Sequence, residues 1–153
     1  MNIGLFSLIA GLLSMAGGRD LNADVQSAHQ LIEQSRTAND RANHMRQLVE
    51  RLSKAGPDEV DKLNDASVAL VAEMLKRDGE IGRFYGGLGL SAVSCRAKSA
   101  LPDLRLALSE AAPVGSEVDW ITVSPAVSPY EEIQRAIAKI EADRPCSVRP
   151  DFL

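Results

Sequence analysis

The chain has 153 residues, of which 45% are apolar, 25% charged and 4% aromatic, and 17 basic against 21 acidic side chains give a formal net charge of −4. That length suits one domain, and those proportions exclude a chain disordered throughout, a collagen and a multi-span membrane fold. The acidic balance argues against nucleic acid as a partner, and two cysteines cannot build a disulfide-rich scaffold or a Cys-only zinc site.

No charged side chain precedes Arg19. The apolar stretch Ile3–Gly18 would make a helix of about 24 Å, short of the ~30 Å hydrocarbon core of a bilayer. It reads as the apolar region of a secretory signal peptide, with Ser14-Met15-Ala16 placing small residues at the −3 and −1 positions of a cleavage site. An N-terminal Lys or Arg, usual in such leaders, is missing. A second reading keeps the segment. Gly4, Ser7, Gly11, Ser14 and Gly18 fall at spacings of three and four, a small-residue seam that lets helices approach closely in a membrane or an oligomer. A third buries the segment as a helix within a soluble protein or assembly. Residues 1–18 are therefore set apart from a single helical domain over 19–153.

From about Leu21 to Lys54 the chain lacks Gly and Pro and reads as one long helix. Its stripe (Val25, Ala28, Ile32, Ser35, Asn39, Ala42, Met45, Val49, Leu52) is apolar at the ends and small or polar in the middle. Gly56 suits a left-handed helix end and Pro57 the first turn of the next helix, expected over Pro57–Arg77 with Val60, Leu63, Leu70, Val71 and Met74 inward. Two stripes and a short turn predict an antiparallel helical hairpin.

Gly79, Gly82, Gly86, Gly87 and Gly89 crowd around Arg83-Phe84-Tyr85 and read as a flexible turn. Helical spacing resumes through Leu90, Val93, Ala97, Leu101, Leu104 and Leu108, with Pro102 kinking or splitting that helix. Residues 113–128 read as a loop, with one short extended piece at Val118–Val123. Ser128-Pro129-Tyr130-Glu131 carries a cap, a first-turn proline and an acidic residue three after the cap, opening a helix that stops before Pro145. The expected fold is mainly α, a hairpin extended to a small bundle of four to five helices with at most one short extended segment.

The candidate chemistries are few. Cys95 and Cys146 would pair in an oxidising compartment, closing a loop of about 50 residues worth roughly 3–4 kcal/mol in the chain-entropy model. A nucleophilic cysteine needs a nearby His base, and both histidines lie far off in sequence. On a continuous helix His29 and His44 stand about 22 Å apart, too far to share a metal. Gly87-Leu-Gly89-Leu-Ser-Ala92 matches GxGxxA formally, yet no buried strand precedes it and no strand–helix alternation surrounds it. Acidic pairs such as Glu131 and Glu132 sit where a helix dipole favours them. Arg36, Arg41, Arg46 and Arg51, spaced by five, spiral around their helix as a solvated face. No catalytic, cofactor-binding or metal residue is assigned.

These features favour an exported periplasmic or envelope protein acting by protein–protein interaction, such as a secretion or conjugation accessory, an inhibitor or an immunity-type protein. Homo-oligomerisation is compatible with it. The partner-contact candidates are Arg83, Phe84 and Tyr85 on the glycine-rich turn, and Ser35 and Asn39 in the polar middle of the first helix. One alternative is a membrane-associated phage or envelope-assembly component that keeps residues 1–18. The plan of apolar start, long helices and two late cysteines resembles the inner-membrane spanin of phage lysis in layout only, with no shared motif. The other alternative is a small hydrolase using carboxylates.

Overall fold

The computed structural model describes residues 20–111, 128–144 and 146. The expected apolar helix at 1–18 and the extended piece at Val118–Val123 lie outside them. Among the described residues the protein is mainly helical and has no strand. Its α-helices are α1 (Leu21–Gln34), α2 (Ala38–Ser53), α3 (Pro57–Asp61), α4 (Asp65–Glu73), α5 (Glu80–Ala92), α6 (Leu101–Glu110) and α7 (Pro129–Ala142), with 3-10 turns at Met74–Lys76, Ser94–Arg96 and Lys98–Ala100.

The long first helix is two helices. Ser35 adopts extended backbone (φ −68°, ψ 135°), and its hydroxyl donates to the Leu31 carbonyl at 2.6 Å. Thr37 then caps α2, its side chain accepting the Asp40 N–H at 3.1 Å. Such a cap satisfies an N–H that the helix itself cannot, and the small, polar middle of the stripe offers little burial to oppose the break. The chain reverses there, so α2 runs back along α1 and Arg51 near its end meets Asp24 near the start of α1 at 2.8 Å. The reversal expected at Gly56–Pro57 thus comes some twenty residues earlier.

The expected helix Pro57–Arg77 is divided too. Gly56 is not left-handed (φ −74°) but serves as the N-cap of α3. After α3, Asn64 caps α4 by accepting the Ser67 N–H at 2.8 Å. Asn22 of α1 ties this corner down. It accepts from the Asn64 N–H (2.9 Å) and the Ser67 hydroxyl (2.7 Å), and donates to the Lys62 carbonyl (3.0 Å). Ser67 is fully buried, so these bonds satisfy a hydroxyl that water cannot reach.

The glycine-rich segment is a helix, not a turn. It opens on two consecutive left-handed residues, Asp78 (φ 54°) and Gly79 (φ 59°), and then buries its glycines. A Cβ at Gly82 would overlap the carbonyl oxygens of Met74 and Arg77. One at Gly86 would stand 2.7 Å from Leu75 Cδ2, and one at Gly89 3.0 Å from Val71 Cγ1. α5 therefore approaches α4 and its 3-10 extension backbone against side chain and backbone against backbone. Its other neighbours are set by contacts in register. Gly89 faces Leu52 and Val49 of α2, and Gly87 faces Ile133 of α7. α7 runs alongside α5 in the same direction, with Lys139 donating to the Ser91 carbonyl at 3.0 Å and Ser94 bonded to Asp143.

Pro102 occupies the first turn of α6, splitting the expected helix as its missing N–H requires. α7 begins at Pro129 after Ser128, though the Ser128 side chain makes no capping bond. Val25, Met45, Leu63, Val71, Leu90, Val93, Leu104, Ile133, Ala136 and Ile140 are fully buried in one continuous core.

The glycines of α5 predict opposite signs. Gly82→Ala should destabilise by about 1–3 kcal/mol or more through overlap with backbone oxygens that cannot rotate away. Gly87, where an added Cβ meets its nearest neighbour at 3.5 Å, has room. Gly87→Ala should stabilise by about 0.5–1 kcal/mol from helix propensity. Urea titration of both variants checks the pair.

Candidate functional site

α5 has two chemically distinct ends. At its N-terminal end the α1–α2 reversal meets the turn that launches α5. Arg41 of α2 holds Asp78 with both arms of its fork, Nε to Oδ2 at 2.8 Å and Nη2 to Oδ1 at 2.9 Å. Its third donor, Nη1, reaches the Ser35 carbonyl at 3.1 Å. One guanidinium thus joins the reversal to the left-handed Asp78, a conformation that costs a non-glycine residue unless its surroundings hold it. The hydrogen-bonded Asp78 carboxylate keeps Arg41 charged above the ordinary arginine range, outweighing the opposing effect of burial.

Further pairs flank this corner. Arg77 bonds Glu33 of α1, which His29 approaches at 3.6 Å. Arg83 bonds Glu80 at 2.8 Å and lies 3.6 Å from Glu110 at the end of α6. The Nε atoms of Arg77 and Arg83 are buried without a hydrogen bond.

The candidate contact residues occupy unequal positions. Ser35 is half-buried at the reversal, and Asn39 is exposed on the first turn of α2. Arg83 is engaged in the pairs just described, and Phe84 is half-buried against the core. Tyr85 is buried, its ring edge-on to Phe84 with centroids 5.3 Å apart. The Arg41–Asp78 contact brings the Ser35 reversal to the root of α5, so the two candidate regions share one corner although Tyr85 faces inward.

Sequence reading missed Arg41, Asp78 and Arg51. The arginines at intervals of five are not uniformly solvated: Arg41 takes Asp78, and Arg51 takes Asp24 and Glu59. Burial works to lower the Arg51 pKa, but the hydrogen bonds that Arg51 donates to Glu59 and Asp24, with the attraction of both carboxylates, outweigh it and the pKa is raised. Their partners lie eight to 37 residues away, beyond the reach of a pattern confined to one helix. His29 and His44 stand on separate helices. Among the described residues no group of three or more His, Cys, Asp or Glu could hold a metal ion.

At the other end of α5, Cys95 and Cys146 are joined. Their Cα atoms are 5.0 Å apart, within the range a disulfide requires, and the Cys146 N–H donates to the Cys95 carbonyl at 3.4 Å. Arg96 beside them donates to the Leu63 carbonyl at 2.8 Å.

Two measurements check this geometry. Arg41→Ala should lower the thermal midpoint clearly more than Arg46→Ala, since Arg46 pairs with Glu50 across an exposed helix surface. Burial raises the Tyr85 pKa, with Arg46 lowering it and Glu50 raising it to smaller extents. A raised folded pKa means that the unfolded phenol loses its proton first. The stability contributed by Tyr85 is then fully present below pH ~10 and lost as pH rises through the folded value. Tyr85→Phe should flatten that alkaline loss in a pH series of urea midpoints.

No family model, curated protein or solved structure matches this chain.

Proposed function

We propose that this is an exported helical protein that acts by binding another protein, in the manner of a secretion or conjugation accessory, an inhibitor or an immunity-type protein. The observation that carries the reading is the Cys95–Cys146 disulfide, because such bonds persist in oxidising compartments and are rare in the cytosol. The uncharged apolar start with small residues at Ser14 and Ala16 supports it from the sequence side. Among the described residues no helix is long and apolar enough to cross a membrane.

The corner built on Arg41 and Asp78 is the proposed contact surface. It is held by ion pairs rather than by one element alone, so it presents Arg36 and Asn39 on a fixed frame. Both are exposed, and Leu31 on the adjoining helix is 45% exposed. A rigid frame lowers the ordering cost of association, and Arg is favoured at the energetic centre of protein contacts. The seam from Gly4 to Gly18 favours a second reading, in which residues 1–18 stay attached and pack in a membrane.

Expression of the full chain in a bacterial host, followed by fractionation and intact mass, separates these readings. The first expects a periplasmic protein cut after Ala16 with both thiols consumed. An uncut chain in the membrane fraction would favour the second, and an uncut cytosolic chain with two free thiols would contradict both. Once a partner is captured, Arg36→Glu with Asn39→Arg should weaken its binding by about tenfold or more without lowering the thermal midpoint. Unchanged affinity would move the contact elsewhere.

A further inference from the structure

We infer that the Cys95–Cys146 disulfide is a reducible latch on the C-terminal end of α7, opened by thiol–disulfide exchange with a dithiol reductant. The inference rests on the disulfide used above, but concerns what the bond holds rather than where the protein resides.

The two halves of α7 are held differently. Its N-terminal and central turns are anchored by apolar burial, since Ile133 packs at Gly87 and Ile133 and Ala136 are fully buried, whereas the last turn has Ile140 alone as a fully buried side chain. Beyond Ile140 that anchoring stops. Glu141, Ala142 and Arg144 are exposed, and no buried apolar side chain follows Ile140 in the described chain. The end of the helix is tied to the end of α5 by polar contacts, Lys139 to the Ser91 carbonyl and Ser94 to Asp143, and then by the disulfide. Water can replace each polar contact, whereas it cannot replace the covalent bond.

Both cysteines are half-buried rather than sealed in the core. A thiolate of the reductant can attack one sulfur, forming a mixed disulfide and releasing the other cysteine as a thiolate that takes up a proton. The second thiol of the reductant then displaces the first cysteine. The protein gains two electrons and two protons as two thiols, and the reductant leaves as its own disulfide. Opening frees the last turn of α7 while Ile133 and Ala136 remain seated, and uncovers apolar surface at Ile140.

Limited trypsin digestion of the oxidised and dithiothreitol-reduced full chain, read by intact mass after quenching, tests the latch. No Lys or Arg lies between Arg105 and Arg135, and Arg144 and Arg149 precede prolines, so cleavage after Lys139 reports the end of α7 cleanly. Reduction should speed that cut on the order of a hundredfold, and by at least about tenfold more than it speeds the cuts after Arg46 and Arg51 in α2. The Cys95→Ala/Cys146→Ala protein should show the fast cut with or without reductant. Equal acceleration in α2 would make the bond a staple of the whole fold, and an unchanged rate at Lys139 would make it irrelevant to α7. Either result overturns the latch without bearing on export, which fractionation decides. Failure of the cysteines to pair under a glutathione redox buffer would overturn it as well.

Discussion

The fold depends on how closely the backbone of α5 approaches its neighbours. Gly82 lies against the Met74 and Arg77 carbonyls, Gly86 against Leu75, and Gly89 between Val71 and the α2 side chains Leu52 and Val49. Any larger residue on that face would push α5 away from α4 and α2 together. Glycine in a helix costs up to about 1 kcal/mol against alanine, so a segment with four of them is a poor helix in isolation. Close contact on several sides offsets that cost, and α5 is a helix because of where it is buried.

The same constraint explains the charged corner. To lie flat on the 3-10 turn at Met74–Lys76, the chain must turn sharply through Asp78 and Gly79, both left-handed. Glycine adopts that conformation readily; aspartate needs support, and the two-pronged Arg41 contact supplies it. Because Arg41 also holds the Ser35 carbonyl, the α1–α2 reversal is positioned by the entry into α5. At the far end, the disulfide fixes α7 beside α5 after apolar contacts have ended. Local geometry at each end of one helix thus sets both candidate sites, the contact corner and the latch.

Much of the fold class was legible in the sequence. Helical periodicity gave the mainly α character, Pro129 marked the start of α7, and the two cysteines lie where they can bond. The breaks at Ser35–Thr37 and Lys62–Asn64 were missed because the spacing of three and four continues across them, through small and polar residues at the first and apolar ones at the second. Their signal was local, a Thr37 or Asn64 side chain able to cap the N–H three residues on. The glycine-rich helix was misread for a different reason. Composition suggests a turn, yet Gly82, Gly86 and Gly89 fall at spacings of four and three, which places them on one helical face. That spacing shows a narrow face only when a partner is available to fill it. Arg41 with Asp78 and Arg51 with Asp24 were illegible in principle, since each pair depends on two helices already being placed.

Native-state hydrogen exchange on the oxidised protein tests the central role of α5 most directly. If α5 is the helix on which its neighbours are packed, the amides from Tyr85 to Leu90 exchange among the slowest in the chain, at the rate of global unfolding. Exchange of those amides as fast as that of exposed helix ends would show a flexible glycine-rich segment, and would contradict the account.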